Sequence, residues 1–299
     1  MSAVHSISGR QRYGVARVCR VWEMSRATLY RARSRQIQRQ PPRRRPGPGG
    51  PMPDQELVMR IRAVLADSPF HGEGYRKLRA RLRHSGMRTC RERVRRLMRE
   101  HDLAAARAGG TPRGPRAHDG TIIPDGANRM WGTDMTAAIT TQEGQVAVFT
   151  AIDHFTAECV GIHAAKRGTR FEALEPVRQG VRARFGAIGR DVAAGLSLRH
   201  DHGTQYMSHD FRNEIRWLGI ASSPAFVRAP EGNGCAECFI RTLKENLLWV
   251  RTFETVEDLR QALVAFQRRY NESWMIERHG YRSPAQARRD LEAALPAAA

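Results

Sequence analysis

Three carboxylates carried on three apolar segments leave this chain few ways to fold. The segment LSLRHDHGTQY is an apolar run that ends in an acid and a glycine turn, so Asp201 falls where a short strand should finish. The segment PEGNGCAECFIRTLKENLLWV reads as a helix carrying Glu237, with 35 residues between the two acids. Upstream, Asp134 lies inside WGTDMT, another strand-like run. A sheet flanked by helices is needed to gather acids spread over two strands and a helix. Such a set can converge on divalent ions, since hard cations prefer carboxylate oxygen and keep positions open for water and phosphate oxygens.

Helix phase agrees with that grouping. At about 100° per residue, Glu237 and Lys244 fall within about 20° of each other two turns apart, with Arg241 close to the same face. Ile240, Leu243, Leu247 and Val250 form a separate apolar stripe expected to face the sheet. After the second acid, His202 and Gln205 stand where they can position water or phosphate, or simply order the turn. Gly203 is expected to supply a backbone angle that other residues resist. Asn233 is expected to hold the loop before Glu237 or to meet DNA. Asp153 reads as a turn acid and Trp131 as packing beneath the first strand.

The formal charge of +20 is unevenly placed. Residues 1–125 hold 28 Lys and Arg against 10 Asp and Glu, an excess of 18, while residues 126–299 hold 22 against 20. One half therefore carries the electrostatic footprint of a polyanion binder and the other reads as a near-neutral globular domain. No run approaches the roughly 18 apolar residues of a membrane span, and the N-terminal stretch lacks the apolar core of a signal peptide. Five scattered cysteines argue against a disulfide framework. The expectation is a soluble, cytoplasmic, nucleoid-associated protein with no membrane partner.

Along the chain, residues 1–37 hold a helix-turn-helix-like segment: two short helices broken near Glu23–Ser25, with Ser25 as N-cap of the second. That second helix offers Arg26, Thr28, Arg31 and Arg33 to a major groove. Residues 38–53 are a Pro/Arg linker. Residues 54–107 form a second helical unit, with Leu57, Ile61, Val64 and Leu65 on one apolar face. Within it, a helix entered through Gly74 ends at Gly86. Thr89 and Glu92 read as a capping box opening a third helix. Val94, Leu97 and Met98 of this helix point inward, while Arg91, Arg93, Arg95, Arg96 and Arg99 suit phosphate contact. A second linker covers residues 108–126. The spacing then predicts three strands (from 130, 145 and 157), a helix over 169–185 with Phe171, Leu174, Val177 and Val181 inward, a strand ending at Asp201, a helix over 208–219, a short fifth strand and the Glu237 helix. A further amphipathic helix over 254–270 leads to a C-terminal extension ending at 290, then a tail at 291–299.

WGTDMT, HDHGTQY and GNGCAECFIRTLKEN, taken together, resemble the two-Asp-then-Glu core of bacterial insertion-sequence transposases of the IS-three family, downstream reading frame. That core is similar to the catalytic domain of retroviral integrases. GYRKL and the arginine-rich helices after it resemble the helix-turn-helix module ahead of the family's core, and the C-terminal stretch resembles the family's end without its common Arg-Pro-His form. The resemblance covers roughly residues 55–290. It implies an α/β, ribonuclease-H-like mixed-sheet core preceded by all-α helix-turn-helix modules. It also implies a DDE polynucleotidyl transferase that cleaves and joins DNA strands at the ends of a mobile element. Asp134, Asp201 and Glu237 would be its catalytic and metal residues, with two Mg²⁺ ions for which Mn²⁺ can substitute. Lys244 matches a family position that contacts the DNA terminus. The implied partners are double-stranded DNA (element ends and target), further copies of the chain on that DNA, and the product of an upstream reading frame.

Two other readings compete. Cys235 and Cys238 form a C-x-x-C, and His200 and His202 flank Asp201, which invites zinc. The H-x-E and P-C parts of a zinc deaminase signature are absent, however. The other is a non-catalytic DNA-binding regulator derived from a transposase.

Overall fold

The computed structural model describes residues 12–38 (backbone alone for 35–38), 52–105, 122–225 and 233–294. The linkers expected at 38–53 and 108–126 lie mostly outside the described residues, as do residues 295–299.

The chain divides into two units, the first ending at Pro53. The described part of this first unit is a helical pair, α1 (Val15–Val21) and α2 (Arg26–Gln38). Glu23 breaks the chain between them with a φ of 50°. The Ser25 hydroxyl accepts the Thr28 N–H at 3.1 Å, the expected cap. Arg31 is exposed on α2.

The second unit begins at Asp54 and takes in the rest of the chain. It opens with α3 (Asp54–Asp67), α4 (Tyr75–His84) and α5 (Arg91–Glu100). Leu57, Val58, Ile61, Leu78, Leu82, Val94, Leu97 and Met98 close a small core between them. The capping box does not form: α5 starts one residue later than expected, with Cys90 at its N-cap and no side chain capping it, and the Thr89 hydroxyl is buried without a partner.

These helices are docked on the sheet domain. Phe70, in the turn after α3, is buried edge-on against Phe266 and Trp274. The Lys77 ammonium stands over the Trp274 ring, 2.7 Å from its centre. Burial pushes this ammonium down to about 7 against the opposing charge of Glu73. Arg76 pairs with Glu277 at 3.0 Å.

The sheet has five strands in the order β3-β2-β1-β4-β5: β1 (Met130–Thr140), β2 (Gly144–Asp153), β3 (Cys159–Ala165), β4 (Ser197–His200) and β5 (Ala221–Pro224). The first three are antiparallel; β4 joins β1, and β5 joins β4, in parallel. Helix α6 (Arg170–Phe185), the short α7 (Thr204–Met207) and α8 (His209–Trp217) pack on one face around Trp131, Phe149 and Leu174. On the other face lie α9 (Gly234–Leu243), which runs into a π-turn over Lys244–Leu248, and α10 (Val256–Ser273). This arrangement of a mixed sheet between helices is the ribonuclease-H-like architecture.

The α6 stripe departs from the periodic pattern at its start: Phe171 is 54% exposed in the first turn, with the Arg170 guanidinium over its ring. Beyond α10, α11 (Pro284–Ala294) continues past the expected end at 290. Its Arg288 is buried, pairing with Glu158 beside Asp153.

Candidate active site

The geometry starts from strand register. Strand β1 pairs in parallel with β4 only over Met130–Gly132, with Gly132 opposite Arg199. Two residues further along each strand come Asp134 and Asp201, so the same register brings the two acids side by side where the pairing opens. Adjacent strands lie about 4.8 Å apart. On β1, residues 134, 136, 138 and 140 share the face that α9 covers, since Thr136, Ala138 and Thr140 are buried there and their odd-numbered neighbours Met135 and Ile139 are exposed.

Asn233 brings the third acid in. It is only 6% exposed, and its Nδ2 donates to the Thr133 carbonyl at 3.1 Å, tying the start of α9 to β1 next to Asp134. Glu237 follows one turn later, exposed. Asn233 thereby holds the loop before Glu237, the first of the two roles expected for it. Gly132 makes this possible: a Cβ there would overlap Asn233 Oδ1 and His154 Nε2. The glycine and the buried His154 escaped the sequence reading, although a glycine inside the strand run WGTDMT was the available signal.

Asp134 is half-buried and its Oδ1 accepts the Met135 N–H at 2.8 Å. Burial pushes its carboxyl up to about 6, with the negative charges of Asp201 and Glu237 adding to the rise, while the Met135 bond and Lys244 oppose it. Asp201 is exposed, and its Oδ1 accepts the Gly203 N–H at 2.8 Å. Gly203 has an ordinary φ of −56°, so the left-handed angle expected of it is not used. What it provides is room, because a Cβ would crowd Gln205 and Asp201. His200 is buried: Nδ1 donates to the Asp201 carbonyl at 2.7 Å, so Nε2 accepts the Ser222 hydroxyl at 2.9 Å. Burial lowers its pKa, which keeps the ring neutral and structural.

The remaining expected residues surround this centre. His202 and Arg241 are exposed, and Gln205 and Lys244 are half-buried. Among the described residues, neither Arg241 nor Lys244 forms an ion pair. In the helical unit, Arg93 and Arg96 are tied to Asp54 at 2.7 and 2.5 Å, which turns them inward. Arg91 and Arg95 stay outward, each half exposed, beside the Tyr75 ring and paired loosely with Glu92.

Three carboxylates without a neighbouring thiolate are a donor set for a hard cation. Among the described residues, no three acidic, histidine or cysteine side chains already stand close enough to enclose an ion. Asp201 and Glu237 are both exposed, so their side chains can turn toward the fixed Asp134. Cys235 is buried against the His154 carbonyl and Cys238 is exposed, one helical turn apart on α9.

Similarity to known proteins extends over both the helical unit and the sheet domain. Residues 53–110 match the HTH-like domain family, and residues 124–230 and 218–284 match two integrase core domain families. Transposase InsD for insertion element IS2A/D/F/H/I/K from Escherichia coli is 29% identical over 238 residues, covering 77% of each chain. Transposase InsD for insertion element IS2-9 from Escherichia coli strain K12 has the same identity, covering 77% of this chain and 76% of its own. Among solved structures, the catalytic core domain of BIV integrase is 18% identical with a TM-score of 0.41, covering 56% of this chain and 97% of its own. The HTLV-2 integrase catalytic core domain in complex with magnesium is 16% identical with a TM-score of 0.40, covering 56% and 98%. An integrase core behind an HTH-like domain defines a DDE polynucleotidyl transferase. More narrowly, the chain is similar to transposases of the insertion element IS2.

Proposed function

We propose that Asp134, Asp201 and Glu237 are the catalytic and metal-binding residues of this transposase, holding two Mg²⁺ ions, or Mn²⁺ in their place, at the ends of its mobile element. The observation that carries this reading is the register that sets Asp134 beside Asp201, with Asn233 anchoring the Glu237 helix to the same strand. Bound divalent cations supply Lewis acidity, which activates an attacking hydroxyl and neutralises the departing 3′ oxygen of an in-line displacement. The chain's own residues do the rest. Asp134, on the rigid strand, is the fixed ligand; Asp201 and Glu237 close on it from the turn and the helix. Lys244 and Arg241 hold the phosphates next to the reacting one, and His202 and Gln205 order the water or phosphate beside Asp201. Water as the attacking group gives strand cleavage, and a DNA 3′-hydroxyl at the same site gives strand joining.

The division of labour follows the charge. Residues 127–290 act as the catalytic core and residues 54–107 as the helix-turn-helix DNA-binding domain, with Arg91 and Arg95 on phosphates. Residues 1–37, through Arg31, form a second DNA contact. Two element ends require at least a dimer on DNA, and the upstream-frame product is a further partner. A protein of this kind works on DNA, at the nucleoid in the cytoplasm; among the described residues no helix is long and apolar enough to cross a membrane.

The test is strand cleavage and transfer on duplexes carrying the element's terminal sequence. Asp201→Asn and Glu237→Gln keep side-chain shape and remove charge. Each is expected to abolish Mg²⁺-dependent product while leaving DNA binding intact. Unchanged product yield in either variant contradicts the assignment.

A further inference from the structure

The helix that carries Glu237 does not end as an α-helix. Its continuation over Lys244–Leu248 is a π-turn, closed by the Trp249 N–H donating to the Lys244 carbonyl five residues back, at 2.9 Å. A π-turn acts as one inserted residue and sets everything after it back by about 100°. In an unbroken α-helix Trp249 would stand about 120° from Glu237; after the π-turn it stands within about 20°. The same shift takes Val250 off the buried stripe of Ile240, Leu243 and Leu247, and Val250 is indeed 56% exposed.

One face of this segment therefore carries Glu237, Arg241, Lys244 and Trp249 in that order. Trp249 is 71% exposed, and among the described residues no ring or cation packs on its indole. Trp249 thus leaves a large, rigid aromatic face open on this side of the helix. The two side chains between it and the acid are cations without ion-pair partners among the described residues. Cations followed by a bare aromatic face are what a nucleic acid strand requires: the charges take phosphates and the ring takes a base.

We propose that Trp249 is a stacking platform for a nucleobase unpaired near the element end, and so a positioning residue for strand cleavage. The proposal rests on the assignment of the three acids. At about 1.5 Å per helical residue, the indole lies roughly 17 Å along the axis from Glu237. With about 3.4 Å per nucleotide, the stacked base is about five nucleotides from the scissile phosphate. Stacking there pays for separating the base pair and holds the strand in line with the carboxylates. A second copy of the chain is the competing occupant of the exposed indole.

The test uses the full chain and duplexes of the element's terminal sequence, either fully paired or mismatched at four to six nucleotides from the cleavage position. Trp249→Ala is expected to slow cleavage of paired ends about 5- to 100-fold, the range of one lost base stack. Trp249→Phe should keep most of the rate, and mismatched ends should recover most of the alanine defect. With 2-aminopurine at the same positions, the parent and Trp249→Phe should quench the fluorescence and Trp249→Ala should not. Parental cleavage of paired ends by Trp249→Ala overturns the proposal. So does an equal loss on paired and mismatched ends, and a simultaneous fall in sedimentation coefficient then gives the indole to a second copy. Failure of the acid assignment looks different: Asp201→Asn then cleaves both kinds of end as the parent does.

Discussion

Asp134 is half-buried on β1, where burial, helped by the negative charges of Asp201 and Glu237, disfavours its ionised form, and that cost is measurable without DNA. Its folded-state pKa of about 6 is above the ordinary value of 3.8. Between those values the native state binds more protons than the unfolded one, so stability falls as pH rises through that window. Above pH 6 and without divalent metal, Asp134→Asn should stabilise the protein by about 1–2 kcal/mol, the full shift being discounted because the side chain is partly exposed. A thermal melt at pH 7.5 checks it. Added Mg²⁺ should raise the parent's melting temperature by binding only the folded state, and should leave Asp134→Asn unmoved. A variant that melts lower than the parent in metal-free buffer would show that the carboxylate is held by something other than a need for cations.

At the scale of elements, the turn after α3 joins the HTH-like helices to the sheet domain. Phe70 is buried between α10 and Trp274, and the neighbouring His71 N–H donates to Asn246 Oδ1 at 2.8 Å. Asn246 lies inside the π-turn and also donates to the Thr242 carbonyl at 3.0 Å. The helix bearing Glu237 and Lys244 is thus held from both ends, by Asn233 on β1 and by the docked turn. Phe70→Ala should cost about 3–5 kcal/mol, as large-to-small changes at buried aromatics do, and urea unfolding measures it. A loss under about 1 kcal/mol would mean that the helices rest on the core without packing into it. The outer edge of β3 is closed in a similar way, by Arg260, Gln267 and Asn271 of α10 bonding the backbone of Cys159 and Ala164. Side chains replace the strand that would otherwise have to pair there.

For the whole molecule, the sequence was most readable where chemistry follows a short period. The strand-like run WGTDMT and the glycine turn after LSLRHD put Asp134 on a strand and Asp201 at a strand's end, and the apolar stripe of the Glu237 helix gave the helix its buried side; that β1 and β4 are neighbours is seen only in the fold. Long-range fits were hidden. Gly132 matters because Asn233, far along the chain, needs its space. The π-turn was invisible because Ile240, Leu243, Leu247 and Val250 keep perfect α spacing; only tertiary packing inserts the extra residue. Phe171 fitted the apolar stripe of its helix but is exposed, its ring covered on one side by the Arg170 guanidinium. The docking of the helical unit could not be read from Phe70, a single aromatic in a polar loop.

The most direct measurement is anomalous scattering from crystals of the full chain grown with element-end DNA and Mn²⁺. The expected result is Mn²⁺ density within about 2.2 Å of oxygens from Asp134, Asp201 and Glu237. Density that leaves Asp134 without a metal contact, or Glu237 turned away from any ion while DNA is bound, would contradict it.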